Sequence, residues 1–149
     1  MIKLKRTDSA NVDFIDLVKD LDLYLALKDG EEHSYYDQFN KINTLKNCVL
    51  IYENEEAIGC GAIKLYEGNI AEVKRMFVKP AFRGKGFASK ILVELEAWAK
   101  ELNYTEVILE TGKRQTEAII LYSKTYSVIP NYGQYAGMEN SICFKKNLL

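Results

Sequence analysis

The sequence is poor in the residues that build metal centres and disulfide frameworks. Its 149 residues include one histidine and three cysteines, Cys48, Cys60 and Cys143. No Cys/His pair has the spacing of metal ligands, so we expect no structural zinc site. The cysteines are odd in number, scattered and set in apolar surroundings, which predicts buried, reduced thiols. Cysteine catalysis is the less favoured alternative, because the pattern does not relate the one histidine, His33, to any of them in space.

Long apolar runs and an excess of charge of one sign are also missing. No run approaches the roughly 20 apolar residues needed to span a bilayer, and residues 1–6 lack the apolar region of a signal peptide. The 20 basic and 21 acidic residues give a net charge of −1, with a pI near 5.9. Such a balance gives no broad attraction to nucleic acid or to an anionic membrane. We therefore expect a cytoplasmic protein without either partner.

What the sequence does contain is enough apolar material for one core. Hydrophobic residues make up 48% of the chain and charged residues of both signs 28%, a composition that argues against disorder. A length of 149 residues suits one domain. We expect residues 1–149 to form a single domain.

The apolar periodicity predicts strands and helices in mixed order. The predicted strands cover 2–5, 48–52, 57–63, 70–78, 106–110, 127–129 and 141–145, and the predicted helices cover 14–25, 33–40, 84–102 and 116–124. The strands at 70–78 and 106–110 are separated by a helix, and a strand–helix–strand unit makes its two strands parallel. The pattern therefore predicts an α+β domain with a mixed sheet.

The most informative stretch runs from Arg83 to Ala88, with the sequence Arg-Gly-Lys-Gly-Phe-Ala. It follows an apolar strand and precedes a long amphipathic helix. A helix that begins at closely spaced glycines offers unpaired N–H groups and its positive dipole end to an anion. Arg83 and Lys85 add full charges, and glycine avoids a Cβ that would hold a ligand off. We interpret the stretch as a pyrophosphate site.

Two common phosphate sites fit this stretch poorly. A P-loop requires Gly at position 79 and Ser or Thr after the lysine, but the chain has Lys79, and Gly86 follows Lys85. A dinucleotide-binding loop requires a third glycine where Ser89 stands. Glu110 at the end of the next strand could hold a ribose, so a nucleotide-binding domain stays open as a weaker alternative.

The pattern Arg-x-x-Gly-x-Ala at positions 83, 86 and 88 resembles the acetyl-CoA loop of the GCN5-related N-acetyltransferase (GNAT) superfamily. Two further stretches extend the resemblance over about half of the chain. Residues 71–80 resemble the central strand of the family, and residues 115–122 resemble its later helix, usually written Asn-x-x-Ala-x-x-Leu-Tyr. The chain departs from the family pattern with Gln115 in place of Asn and with Thr125 where Gly usually precedes the aromatic residue.

The resemblance implies a GNAT-like acyl-CoA N-acyltransferase fold, α+β, with a mixed central sheet of about six to seven strands flanked by about four helices. It also implies acetyl-CoA as co-substrate, no metal, and direct acetyl transfer to a primary amine of a small molecule or peptide. A homodimer is compatible with it. The residues expected to bind the cofactor are Met76, Phe77, Val78, Arg83, Gly84, Lys85, Gly86, Phe87, Ala88, Ser89 and Gln115.

The same resemblance assigns two catalytic roles. Tyr122 is expected to donate a proton to the departing thiolate, and the alternative is a core aromatic that shapes the pocket. Glu72 is expected to accept the amine proton through water, and the alternative is a strand carboxylate paired with Lys74 or Arg75. An α-amine has an ordinary pKa near 8, so an appreciable fraction is neutral at pH 7 and can react without a base. A strand distortion near Met76 is expected to expose an N–H to the thioester oxygen.

The resemblance also implies an acceptor site opposite the cofactor, between the N-terminal helices and the C-terminal strands. Two polar, tyrosine-rich stretches, 24–38 and 130–135, could bind a cationic amine. Their acidic side chains would attract its charge, and their tyrosine rings would line the site. We predict four acceptor-binding residues: Tyr24, His33, Tyr36 and Tyr132. The alternative is a solvated loop and a polar rim, and for His33 a surface or structural role is favoured. A silent CoA-binding sensor module is the alternative to an enzyme.

Overall fold

The protein is described from a computed structural model that covers residues 1–29 and 44–149. The strands are β1 (Ile2–Thr7), β2 (Asn47–Glu53), β3 (Glu56–Glu67), β4 (Ile70–Val78), β5 (Glu106–Gly112), β6 (Ser127–Ile129) and β7 (Ser141–Asn147). The helices are α1 (Val12–Asp29), α2 (Phe87–Glu101) and α3 (Thr116–Ser123). The helix predicted at 33–40, with the residues His33 and Tyr36, lies outside the described residues.

The seven strands form one sheet in the order β1-β2-β3-β4-β5-β7-β6. Strands β4 and β5 are parallel, and the other neighbours are antiparallel. The strand–helix–strand prediction is therefore confirmed, as is the α+β fold with a mixed sheet of six to seven strands. Three helices lie within the described residues, against the roughly four expected.

The two faces of the sheet pack against different helices. Along β2 the side chains alternate, so that Val49 and Ile51 join the core under α2 while Cys48 and Leu50 join the core under α1. All four are fully buried. The three cysteines are free and buried, as expected. Burial raises the pKa of the Cys48 thiol to about 12, which makes it an unreactive group at neutral pH.

Two irregularities of β4 open the sheet near its centre. Pairing of β4 with β5 covers only Ile70 to Glu72, although β5 continues to pair with β7 as far as Gly112. Toward β3, the residue Gly61 faces both Arg75 and Met76, because Cys60 pairs with Phe77 and Ala62 pairs with Lys74. Two residues opposite one is a β-bulge. The strand distortion expected near Met76 is therefore present.

The helix predicted at 84–102 begins later than expected. Gly84 and Gly86 have φ values of 78° and 82°, in the left-handed region, and α2 begins at Phe87. The prediction of a helix from residue 84 was wrong because left-handed residues cannot continue a right-handed helix. The glycines form a loop in front of the helix instead of its first turn.

Candidate active site

A groove of about 630 Å³ lies between the end of β4, the glycine loop (residues 83–86), the start of α2 and one side of α3. All the predicted cofactor residues except Lys85 line it. Those that do are Met76, Phe77, Val78, Arg83, Gly84, Gly86, Phe87, Ala88, Ser89 and Gln115. The Lys85 ammonium lies 5.8 Å from the ring centre of Phe82, which also lines the groove. The structure thus brings these residues together, and their binding of a cofactor stays a prediction.

The glycine loop presents the start of α2 to the groove. A Cβ added at Gly84 or Gly86 would meet no protein atom within 4 Å, so it is the positive φ, not crowding by the protein, that favours glycine at both positions. The first turn of α2 contains no acidic residue. Its unpaired N–H groups therefore meet the groove with no acidic side chain in their own turn.

Arg83 is held against two aromatic rings at the groove. Its Nε donates a hydrogen bond of 2.8 Å to the Val78 carbonyl oxygen. Its guanidinium carbon lies 4.7 Å from the ring centre of Tyr24 and 5.5 Å from that of Phe77. A guanidinium has five N–H donors, so this bond uses only one of them. Tyr24, predicted to bind the acceptor, lies in the groove with the predicted cofactor residues.

A smaller cavity of about 100 Å³ occupies the gap between the separated strands β4 and β5. Its polar lining comprises Glu72, Lys74, Arg75, Glu110, Thr111, Gln115, Tyr122 and Tyr135. Five residues line both the cavity and the groove: Leu21, Met76, Gln115, Ala118 and Tyr122. The two spaces therefore meet at these side chains, and we call this place the junction.

Tyr122 is the ionisable side chain at the junction. It is 5% exposed, and its ring contacts those of Tyr126 and Phe144 at centroid distances of 6.0 Å and 5.8 Å. Burial, followed by the charge of Glu110, raises the pKa of the Tyr122 phenol above its usual value. The phenol stays protonated at neutral pH and can act as a hydrogen-bond donor.

Glu72 projects into the cavity and is only 3% exposed. Its carboxylate accepts a hydrogen bond of 2.7 Å from the Tyr132 hydroxyl. Burial raises the pKa of Tyr132, and the Glu72 charge raises it further, so the phenol remains the donor. Tyr132 was predicted to bind the acceptor, and the structure places it against Glu72. Its ring meets Tyr66 and Tyr135 edge to face, at 5.1 Å and 5.7 Å.

The cations beside Glu72 have other described contacts. Arg75 Nη1 lies 2.8 Å from Asp22 Oδ1, and Lys74 Nζ donates a 3.3 Å hydrogen bond to the Tyr135 hydroxyl. Burial lowers the pKa of Lys74, although the charges of Glu72 and Glu110 oppose that effect. The ion pair between Glu72 and Arg75, weighed from the sequence, is replaced by the pair of Arg75 with Asp22.

The bulge turns one peptide unit relative to the regular strand. Arg75 has a φ of 61°, and its carbonyl oxygen accepts a 3.3 Å hydrogen bond from the Cys60 thiol on β3. In a trans peptide the C=O and the following N–H point in opposite directions. The N–H of Met76 therefore points away from the Cys60 thiol.

Three contributors to the site were missed in the sequence: Asp22, Gly61 and Thr111. A Cβ on Gly61 would lie 2.5 Å from Met76 Sδ and 2.9 Å from atoms of Ile91 and Leu95, so glycine lets Met76 and α2 approach β3. Glycines at 59 and 61 in an apolar strand were the available signal. Thr111 lines the cavity, and its buried Oγ1 has no hydrogen-bond partner among the described residues.

Neither a metal site nor a membrane span is found in the part of the chain that the structure describes. Residues 1–29 and 44–149 contain no group of three His, Cys, Asp or Glu side chains placed to hold a metal ion. None of the helices described is long and apolar enough to cross a bilayer.

Comparison with known proteins agrees with this geometry. Residues 15–126 match the model of the acetyltransferase (GNAT) family. The chain is 33% identical over 112 residues to the IAA acetyltransferase of Azospirillum brasilense, an alignment that covers 74% of this chain and 73% of that protein. The chain therefore belongs to the GNAT acetyltransferase family, and the predicted superfamily and enzyme class, an acyl-CoA-dependent acetyltransferase, are confirmed.

Solved structures show the same fold. A Klebsiella pneumoniae protein whose name assigns it to the acyl-CoA N-acyltransferases superposes with a TM-score of 0.83 at 28% identity, covering 100% of this chain and 99% of that one. The PaiA N-acetyltransferase of Thermoplasma acidophilum, solved in complex with coenzyme A, superposes with a TM-score of 0.71 at 17% identity, covering 99% of both chains. At that identity, the second likeness concerns the fold alone.

Proposed function

We propose that the protein transfers the acetyl group of acetyl-CoA directly to a primary amine of a small molecule or a peptide. The observation that carries the proposal is the junction, where a long groove and a small polar cavity meet at Tyr122 and Met76. The groove would take the cofactor and the cavity the amine. A direct transfer requires both reactants to reach one point, and the junction is such a point.

The residues of the groove fit a coenzyme A. The start of α2 offers N–H groups with no acidic residue in its first turn, and Arg83 brings a guanidinium to the same groove. Phe77, beside Arg83, and Met76, at the junction, supply apolar surface and backbone groups. The coenzyme A bound to the PaiA N-acetyltransferase, which shares the fold, supports this assignment. When bound, acetyl-CoA supplies an acyl group activated as a thioester.

Met76 and Tyr122 would act on the two charges that develop during transfer. The Met76 N–H, which lies at the bulge and points away from the Cys60 thiol, is suited to stabilise negative charge on the thioester oxygen. Tyr122 would donate a hydrogen bond to the departing sulfur. Its pKa lies above 10 and that of a thiol near 8.5, so complete proton transfer from the phenol is uphill by about 2 kcal/mol or more. We therefore revise the role expected from the sequence: Tyr122 would stabilise the thiolate by a hydrogen bond instead of giving up its proton, and the thiolate would take its proton from solvent.

Glu72 would remove the proton that the amine loses. It is a buried carboxylate beside the junction, held by the Tyr132 hydroxyl at 2.7 Å. That bond occupies one acceptor site of a carboxylate that has about four. Glu72 therefore retains the capacity to accept a proton from the amine, directly or through a water molecule.

The proposal is tested by incubating the protein with acetyl-CoA and a panel of amines that includes amino acids, polyamines, aromatic amines and a short peptide. We expect one class to release free thiol faster than the amine-free control and to gain one acetyl group by mass spectrometry. Tight acetyl-CoA binding with no turnover for any class would favour the silent sensor module. Binding of ATP or NAD in place of acetyl-CoA would favour the nucleotide-binding alternative.

A further inference from the structure

We propose that the ion pair between Asp22 and Arg75 is a positioning device that holds the β4 bulge in the orientation required for acetyl transfer. The inference rests on the proposed function, because it assigns a role to residues that act through the Met76 N–H. Asp22 lines neither the groove nor the cavity, so in this role it acts through Arg75 and not on a substrate.

The bulge contains a backbone conformation that has to be maintained. Arg75 is a residue with a Cβ, yet its φ of 61° lies in the left-handed region. Such residues persist where the surrounding structure determines them, and they cluster at functional sites. Other positive-φ residues with a side chain, Asn54, Glu55 and Asn103, lie in the turn after β2 and just after α2. Among these four, Arg75 is the one inside a strand.

Two contacts hold Arg75, one at its carbonyl oxygen and one at its guanidinium. The Cys60 thiol holds the Arg75 carbonyl from β3, at 3.3 Å. The Asp22 carboxylate holds the Arg75 guanidinium from α1, at 2.8 Å. The Arg75 side chain is 4% exposed, so its charge is out of water and depends on Asp22 among the described residues. Together the contacts fix the peptide unit between Arg75 and Met76.

The ion pair between Asp22 and Arg75 also connects α1 to β4 beside the junction. Leu21 and Tyr24, on either side of Asp22 in α1, line the groove, and Leu21 belongs to the junction. If Asp22 were lost, Arg75 would be drawn toward water and the Met76 N–H would rotate with it. A donor displaced from the thioester oxygen loses its effect on the transition state, whereas the rest of the cofactor site is unaffected.

The test compares Asp22→Ala with Arg6→Ala, which breaks an ion pair with Glu94 and Glu101 distant from the groove. We expect Asp22→Ala to lower kcat about ten-fold, with the Kd of CoA changed less than two-fold and any preference for acetyl-CoA over CoA lost. Asp22→Asn keeps an oxygen that can accept from Arg75 and should recover most of the rate. Arg6→Ala should leave kcat and both affinities unchanged.

Arg75→Gly provides a second variant that remains informative if Asp22→Ala does not fold. Glycine accepts the positive φ without strain but cannot be held by Asp22, so we expect the same loss of kcat. If the wild type transfers acetyl and either Asp22→Ala or Arg75→Gly leaves kcat unchanged, this proposal is overturned while the proposed function stands. An equal loss of CoA affinity and kcat would overturn it too, because the groove would then have collapsed. A wild type that does not bind acetyl-CoA would overturn the proposed function.

Discussion

The groove and the cavity differ in how their residues are distributed along the chain. Most of the groove comes from one stretch, residues 76–89, in which a strand, a glycine loop and a helix follow one another. The cavity is assembled from α1, β4, β5, α3 and the loop before β7. The groove is built largely from backbone conformation, whereas the cavity is built from side chains that meet only in the folded chain. Under the proposed function, a local motif would bind the cofactor, and tertiary contacts would select the acceptor.

The comparison between groove and cavity is tested first at the junction, because there we expect a single substitution to have its largest effect on turnover. Tyr122→Phe should lower kcat by roughly 100-fold while leaving the Kd of acetyl-CoA within about two-fold, because only the hydroxyl is removed. The measurement is the steady-state rate of thiol release together with a binding titration.

Tyr126→Phe is the matched control for that variant. Tyr126 is equally buried and in ring contact with Tyr122, but its hydroxyl donates to Glu96 at 2.7 Å and it lines neither space. We expect a loss of stability of about 1–2 kcal/mol and an unchanged kcat. Full turnover by Tyr122→Phe would contradict the donor role and leave that residue as a shaping aromatic.

Glu72→Gln tests the cavity alone, with a smaller expected effect. The substitution keeps the shape and one oxygen that Tyr132 can contact, but it removes the base, so we expect kcat to fall roughly 10- to 100-fold at neutral pH. The loss should shrink as the pH rises, because more of the amine is then already neutral. The pH profiles of kcat for the variant and the wild type provide the measurement.

Glu96→Gln controls for the removal of a buried carboxylate. Glu96 also accepts a phenol hydrogen bond, from Tyr126, and it pairs with Lys146 at 2.8 Å, but it lines neither the groove nor the cavity. The Glu96→Gln variant should be less stable than the wild type, and its pH profile of kcat should be unchanged. An identical profile for Glu72→Gln and the wild type would mean that the acceptor amine needs no base.

Gly86→Ala tests the groove alone. A Cβ at a φ of 82° costs about 1–2 kcal/mol, and the loop can relieve it only by moving the first N–H groups of α2. We expect the Kd of acetyl-CoA to rise about ten-fold, with kcat at saturation little changed. Gly68→Ala is the control, since Gly68 has a φ of 53° in the turn between β3 and β4, also in open space. Equal affinities in both variants would show that the glycine loop does not hold the cofactor.

Ionisation of the buried phenols is expected to have the smallest effect on turnover at neutral pH. It should instead change the free energy of unfolding at high pH. Burial raises the pKa of Tyr122, Tyr126, Tyr132 and Tyr135 above 10. Above pH 10 the unfolded chain loses these protons while the folded protein keeps them, so the free energy of unfolding should fall as the pH rises. Each group contributes up to about 1.4 kcal/mol per pH unit. The lowered pKa of Lys74 has the opposite effect, because below about pH 10 it makes the free energy of unfolding rise with pH.

Denaturant titrations at pH 8 and pH 11 measure this change. The free energy of unfolding of Tyr126→Phe should depend less on pH than that of the wild type, because the variant lacks one of these four phenols. A free energy of unfolding that is constant over this range would mean that the phenols ionise in the folded protein.

The contrast between the two regions also explains what could be predicted from the sequence. The glycine loop, the central strand and Tyr122 are local patterns, and their positions in the groove or at the junction follow from short-range geometry. The start of α2 was misplaced by three residues because the sequence does not reveal that Gly84 and Gly86 are left-handed. The distortion of β4 was expected near Met76, but nothing in the sequence assigned its positive φ to Arg75.

The cavity could be predicted only in part because its contacts join distant residues. Tyr132 and Glu72 are 60 residues apart, and Arg75 and Asp22 are 53 apart. Glu72 was chosen from its place on the strand, but its phenol partner was assigned to the acceptor. Tyr24 was also assigned to the acceptor, and it lies in the groove because α1 crosses the end of β4. Acceptor binding by Tyr24 and Tyr132, and by His33 and Tyr36 outside the described residues, remains a prediction.

The central claim, that the groove is an acetyl-CoA site, is tested most directly by thermal unfolding with acetyl-CoA, CoA, ATP and NAD measured in parallel. A ligand at about a hundred times its Kd should stabilise the native protein by roughly 2.7 kcal/mol. We predict that acetyl-CoA and CoA raise the unfolding temperature and that ATP and NAD do not. No shift with acetyl-CoA, or a shift with ATP or NAD alone, would contradict the account.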